Sequence, residues 1–219
     1  MIDVSKTSTT TGATPAPVVY VVDDDPSLRD ALSSLFRSVG LDVKLFGSAP
    51  ELLQSKLPQT PSCLVLDIRL PGVSGLDFQN QLGKSGISMP IVFMTGHADV
   101  PMSVRAMKAG AVDFLTKPFR DQDMLDAVYA ALEADRRRWE TDQAMQEFSS
   151  LYQTLTAREK EVMTHVVRGL MNKQIAGELG LSEITVKIHR GNVMRKMAVR
   201  SVADLVRAAE RLGLASGKS

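Results

Sequence analysis

The sequence predicts an α/β domain built on a doubly wound five-stranded parallel sheet, followed by an all-α domain of four helices. Two patterns carry that expectation. From residue 18 to about residue 132, five short apolar runs alternate with stretches of helical length. From residue 152 onward only amphipathic periodicity at helical spacing remains.

The runs are residues 18–22, 43–46, 63–66, 91–94 and 112–115, each of strand length and rich in Val, Ile and Phe. They are apolar on both faces and therefore suit a sheet covered on both sides, for which right-handed crossovers leave few topologies. Pro26 opens the first helix and Gly40 ends it. Ser48 precedes the second, residues 75–82 form the third, residues 100–109 the fourth, and Asp121 begins the fifth. The fifth has no evident stop, since residues 127–150 contain neither Pro nor Gly. It reads either as a helix followed by a simple linker or as one continuous helix. Residues 133–151 are taken as a helical linker between domains at 18–132 and 152–219. Residues 1–17 are rich in Ser, Thr and Pro with few large apolar side chains, and are expected to be a disordered tail.

In the second domain Thr156 and Glu159 form a capping box ahead of an apolar stripe of Val162, Met163, Val166, Val167 and Leu170. Asn172 breaks and recaps the chain, and residues 173–179 give a short helix ended by Gly180. Ser182 caps a third helix reaching about Met197. Ser201 caps a fourth, with Val202, Leu205, Val206 and Ala209 inward.

With 219 residues, 44% of them apolar, the chain can fill two modest cores. The single Cys63 cannot form an internal disulfide, and the start of the chain lacks a signal-peptide pattern. No run reaches the roughly eighteen apolar residues of a bilayer span. The expectation is a cytoplasmic protein with no membrane association. A net charge of +1 hides an asymmetry: residues 1–132 carry 11 Lys and Arg against 14 Asp and Glu, whereas residues 151–219 carry 12 against 6. The basic module suggests an anionic partner.

The polar residues of interest lie at the carboxyl ends of the apolar runs. Asp23 and Asp24 follow the first run, Asp67 the third, Thr95 the fourth and Lys117 the fifth. In open α/β sheets that edge binds ligands. Each residue alone has an ordinary explanation, as a turn, cap or surface charge, but together they put three carboxylates and an ammonium in one place. Three close carboxylates repel unless a cation joins them, and an all-oxygen set suits Mg2+. Asp67 could then attack phosphorus, with Lys117 and Thr95 bonding to phosphoryl oxygens.

The segments Val21-Val22-Asp23-Asp24-Asp25, Leu66-Asp67-Ile68-Arg69-Leu70-Pro71-Gly72, Thr95-Gly96-His97 and Lys117-Pro118-Phe119 resemble the signatures of response-regulator receivers, particularly the FixJ-like branch. The resemblance spans about residues 18–130 and implies a flavodoxin-like fold. It implies that Asp67 is the phosphoacceptor, that Asp24 and Asp67 bind Mg2+ directly, and that Asp23 acts through water. It further implies that the Arg69 backbone carbonyl is a metal ligand and that Lys117–Pro118 is a cis peptide aiming the lysine inward. Phe114 stands where many receivers carry a switching aromatic, so Thr95, Phe114 and Pro118 form the expected switch. His97 reads as a surface loop residue and Cys63 as a small buried one.

In the basic module, residues 173–179, the turn at Gly180-Leu181 and the helix after Ser182 have the turn chemistry of a helix-turn-helix. Ile184, Ile188, Gly191 and Arg195 share one face of the second helix with Lys187 alongside, while Val186, Val193 and Met197 lie on another. Ile188 suits thymine methyls, Lys187 guanine acceptors, and Gly191 close approach of the backbone. Arg190, Arg195 and Lys196 are assigned to phosphates. Leu155-Thr156-Ala157-Arg158-Glu159, Asn172-Lys173-Gln174-Ile175-Ala176 and Thr185-Val186-Lys187-Ile188-His189-Arg190 are similar to the LuxR-type module.

The two resemblances imply a two-component response regulator. A sensor histidine kinase phosphorylates Asp67, and the phosphorylated chain forms a homodimer, binds double-stranded DNA and activates transcription with RNA polymerase. It is expected to be a switch rather than an enzyme. The alternative is an aspartyl-phosphate phosphohydrolase, but such sites place a second acid two residues after the nucleophile, where this chain has Arg69.

Overall fold

Strand β1, Val18–Val22, is fully buried, and parallel pairing joins it to β2, Asp42–Phe46, on one side and β3, Ser62–Asp67, on the other. β3 also pairs with β6, Ile91–Thr95, and β6 with the edge strand β7, Asp113–Thr116. The order β2-β1-β3-β6-β7 reverses direction at β1, and all neighbours are parallel. A separate two-stranded antiparallel pair, β4 (Arg69–Leu70) and β5 (Val73–Ser74), follows β3. The computed structural model describes residues 16–57, 60–96, 100–211 and 213–214. Most of the expected tail and His97 lie outside the described residues.

Helices α1 (Pro26–Ser38), α2 (Ala49–Gln54), α3 (Gly75–Lys84), α4 (Val100–Lys108) and α5 (Asp121–Gln153) connect or follow the strands. Strand alternation divides their packing. Val19 and Val21 point with Leu32 and Phe36 of α1 and Met124, Val128 and Ala131 of α5 into one core. Tyr20 and Val22 join Leu52 of α2, Phe78 and Leu82 of α3 and Ala106 of α4 in the other. Each face of the sheet is thereby covered, which keeps its backbone hydrogen bonds out of water and leaves the strand ends as the accessible edge.

The chain divides into two units between Trp139 and Glu140, a point inside α5, which runs unbroken from Asp121 to Gln153. Within the first unit the carboxylate of Asp135 is buried and accepts the Ser62 amide at 2.8 Å, fastening α5 to the start of β3.

The second unit contains α6 (Ala157–Val167), α7 (Asn172–Leu179), α8 (Glu183–Lys196) and α9 (Val202–Arg211) around a core of Val162, Met163, Ile175, Val186, Val193, Met197 and Leu205. The capping box of α6 forms as expected: Thr156 N donates to Glu159 Oε2 at 2.8 Å and Glu159 N to Thr156 Oγ1 at 3.3 Å. Ser182 caps α8 by accepting Thr185 N, and Gly180 ends α7 in the left-handed conformation at φ 64°. Asn172 is not the cap of α7 but its first residue. Gln174 satisfies the preceding Met171 amide at 2.8 Å, and the Asn172 side chain is engaged elsewhere, by Arg190.

Candidate functional site

The strand ends bring the acidic residues together as their sequence positions suggested. Asp67 is the last residue of β3 and Thr95 the last of β6; Asp23 directly follows β1 and Lys117 directly follows β7. Asp23 and Thr95 are wholly buried, Asp67 nearly so, and Asp24 is exposed. One carboxylate oxygen from each of Asp23, Asp24 and Asp67 lies within 4.8 Å of the others. Lys117 Nζ donates to Asp23 Oδ2 at 2.6 Å and to Asp67 Oδ2 at 2.7 Å. The remaining oxygens of both acids accept backbone amides, Asp23 Oδ1 from Asp25 N at 2.9 Å and Asp67 Oδ1 from Arg69 N at 3.0 Å.

Burial pushes the Asp23 carboxyl above the usual carboxylate range, with the bonds from Lys117 and the Asp25 amide opposing and the Asp67 charge adding to the shift. For Lys117 burial works against the charged form, but its bonds to Asp23 and Asp67 prevail and raise its pKa. The site therefore keeps negative charge in a poorly hydrated place, balanced by a lysine whose own charge is secured by that pairing. Such a set of oxygen donors, one of them solvent-facing, fits a small hard cation. The Lys117–Pro118 peptide is cis. Arg69 opens β4, so its backbone follows directly on the Asp67 turn, and Phe114 lies half-buried in edge strand β7 against the core that holds Phe93.

On α8 the structure separates two faces. Val186, Val193 and Met197 are buried, while Ile184 and Ile188 are 73% and 59% exposed, with Lys187, Gly191 and Arg195 exposed on the same side. Arg190 is half-buried and donates to Asn172 Oδ1 at 3.0 Å, joining α8 to α7. Lys196 is engaged within its own domain. Its Nζ donates to Glu159 Oε2 at 2.6 Å and to the Thr154 carbonyl at 3.3 Å, and Glu159 is only 4% exposed. The Lys196 ammonium is thus paired with a buried carboxylate of its own domain. Sequence reasoning found Glu159 as a cap and missed its second partner, which is 37 residues away.

A parallel sheet in the order β2-β1-β3-β6-β7 with acids and a lysine at its carboxyl edge, joined to a helix-turn-helix unit, defines a receiver coupled to a DNA-binding module. Comparison with known families agrees: residues 19–129 match the response regulator receiver domain, and residues 153–209 match the bacterial regulatory proteins of the luxR family. The chain belongs to the FixJ-like response regulators. It is 59% identical over 206 residues to Nodulation protein W of Bradyrhizobium diazoefficiens, covering 94% of this chain and 91% of that one. It is 42% identical over 197 residues to the transcriptional regulatory protein FixJ of Azorhizobium caulinodans, covering 90% and 93%. Among solved structures it resembles response regulator StyR, with a TM-score of 0.81 at 48% identity over 90% of this chain and 99% of that one. Full-length FixJ from B. japonicum matches at a TM-score of 0.52 and 38% identity, covering 92% and 99%. The comparisons lend no support to the phosphohydrolase alternative. Among the described residues, no helix is long and apolar enough to cross a membrane.

Proposed function

We propose that Asp67 is the phosphoacceptor of a Mg2+-dependent switch, and that the observation carrying this reading is the Lys117 ammonium joining Asp23 and Asp67 beside Asp24. Asp24 and Asp67 would hold the ion directly, Asp23 through water, and the Arg69 carbonyl would complete the protein ligands. When bound, Mg2+ supplies the charge that lets a phosphoryl group enter among carboxylates.

An Asp67 oxygen forms a bond to phosphorus as the phosphorus–nitrogen bond of a kinase phosphohistidine breaks, its electron pair staying on the imidazole. Lys117 transfers one of its two bonds to a phosphoryl oxygen, and the Thr95 hydroxyl turns to another. That rearranges the ends of β6 and β7, and half-buried Phe114 moves inward as Thr95 withdraws. The surface of α4, β7 and α5 changes with them and supports a homodimer. The domains are 18–132 and 152–219, joined through 133–151.

In the DNA-binding domain Lys187, Ile188 and Gly191 face the bases, and Arg190 and Arg195 the phosphates of double-stranded DNA. The dimer recruits RNA polymerase and activates transcription in the cytoplasm, and turnover of a separate substrate is not part of the role. Labelling by acetyl phosphate in Mg2+ tests the reading. Asp67→Ala should abolish it, and stoichiometric labelling of that variant would reject the assignment. Sedimentation of both forms tests the switch, because stronger DNA binding without dimerisation would leave unmasking of the DNA-binding domain as the mechanism.

A further inference from the structure

We infer that Arg29 is a positioning residue of the phosphorylation site: its guanidinium braces the turn from Asp23 to Asp25, so that Asp24 is held where Asp23 and Asp67 can share a cation with it. The inference rests on the Mg2+-dependent reading above and goes beyond it. Arg29 lies one turn into α1 and is half-buried, and its Nη1 donates to the Asp23 carbonyl at 2.5 Å.

The turn has long-range ties, from Asp23 N to the Phe46 carbonyl at 3.3 Å and from Lys117 Nζ to Asp23 Oδ2 at 2.6 Å, and the others are short-range. Asp25 N donates to Asp23 Oδ1 at 2.9 Å, Asp25 Oδ1 accepts Ser27 N at 2.8 Å as the cap of α1, and Arg29 N donates to the Asp25 carbonyl at 3.1 Å. The side chain of Arg29 is what fastens the middle of the turn to the helix behind it. On its other side the guanidinium is backed by Gly47, which follows β2: a β-carbon there would lie 3.7 Å from Nη1. The Gly47 amide is itself fixed by Glu51 Oε2 at 2.8 Å. Among the described residues Arg29 makes no ion pair, so the carbonyl is its structural partner and its charge is not spent on a carboxylate.

The arrangement matters because Asp24 is the exposed member of the three acids, with no buried packing of its own to orient it. Its direction follows from the backbone on either side, and the Asp23 carbonyl belongs to the peptide unit that leads into Asp24. A hydrogen bond from a charged donor is stronger than a neutral one, and without it that peptide can rotate. Arg29 carries positive charge close to the cation it serves, so its electrostatic effect opposes Mg2+ binding. Its bracing effect favours it. The two contributions have opposite signs, which makes the proposal testable.

The test compares wild type, Arg29→Met, Arg29→Gln and Arg29→Lys in the full chain. Calorimetric titration with MgCl2 alone gives affinity, acetyl phosphate labelling gives rate, and thermal melts in EDTA give stability. Arg29→Met should weaken Mg2+ binding by about fivefold to tenfold, less than the full worth of one charge-assisted hydrogen bond because the lost positive charge opposed the ion. It should also slow labelling at limiting Mg2+, with most of that rate restored by saturating Mg2+. Arg29→Gln, which keeps N–H donors without the charge, and Arg29→Lys should each recover part of the affinity. Melts unchanged beyond the loss of a single bond would complete the expected result. Mg2+ affinity in folded Arg29→Met equal to or tighter than wild type overturns the inference while leaving the proposed function intact. No Mg2+ binding by wild type overturns both.

Discussion

The backbone of Asp67 and the start of α3 meet at Gly75 with no space between them. A β-carbon at Gly75 would stand 2.6 Å from the Asp67 carbonyl oxygen and 2.9 Å from the Ile68 Cα, while the Gly75 amide donates to the Ile68 carbonyl at 2.8 Å. Helix α3 is thus pressed onto the end of the strand that carries Asp67, the phosphoacceptor proposed above, and only a residue without a side chain permits it.

Gly75→Ala should therefore act on Asp67 as well as on stability. Relieving the overlap moves either α3 or the Asp67 backbone, at a cost of about 1 to 3 kcal/mol. Displacement of the nucleophile should slow acetyl phosphate labelling by roughly tenfold or more under conditions where the protein stays folded. Urea melts and labelling rates measured together check this. A destabilised variant with wild-type labelling would mean that α3 alone gives way.

Asp23 sets function against stability. Burial raises its folded-state pKa, so its contribution to stability is fully present below the unfolded value and is lost as the pH rises through the folded one. Above the folded-state pKa the ionised carboxylate contributes less to stability than the protonated form does below it. Asp23→Asn in EDTA should melt at a higher temperature than wild type at pH 7, with the difference shrinking toward pH 4, and should label more slowly in Mg2+. A lower melting temperature at pH 7 would show that the lost bond to Lys117 outweighs the relief of burial.

What could be read from the chain followed the range of each interaction. Asp23, Asp67, Thr95 and Lys117 were legible because each lies at or just past the end of an apolar run, and strand polarity alone puts such residues on one edge. The exposed and buried sides of α8 were legible from helical spacing. The β4–β5 pair was not, since Arg69–Leu70 and Val73–Ser74 are too short to form a pattern. No local pattern marks Asp135 as buried, yet it accepts the Ser62 amide, 73 residues distant in sequence. Lys196 is a parallel case: its position in the last turn of α8 was visible, and its partner was not.

Lys196 now carries a different expectation from Arg195. Its bond, with that of the Thr156 amide, holds the Glu159 carboxyl below the usual carboxylate range. That contribution is present above the unfolded pKa and is lost as the pH falls through the folded one. Lys196→Met should destabilise the DNA-binding domain by about 1 to 3 kcal/mol at pH 7, with a smaller difference under acid. Where folded, it should leave the salt dependence of bulk DNA binding unchanged, whereas Arg195→Ala should reduce the slope by roughly one unit. A reduced slope for Lys196→Met would place that lysine among the phosphate contacts.

The exposed side of α8 makes the last prediction. Ile184 and Ile188 are one turn apart, 73% and 59% exposed, with the exposed basic residues Lys187 and Arg195 on the same helix. Water gains nothing from two bare isoleucines on a short helix, but the thymine methyl is the one apolar group presented in the major groove. Burying a methyl is worth about 0.8 kcal/mol, or roughly three- to fivefold in affinity. Duplexes selected from a random library by the phosphorylated protein should lose that factor for each contacted thymine replaced by uracil, which lacks only the methyl. The double variant Ile184→Ala, Ile188→Ala should bind both duplexes alike, whereas Lys187→Ala should lose about 1 to 3 kcal/mol at guanine positions and keep the difference between thymine and uracil. Equal binding of the two duplexes by wild type would reject thymine recognition by this face, and a uracil penalty that persists in the double variant would assign the methyl contact to other side chains.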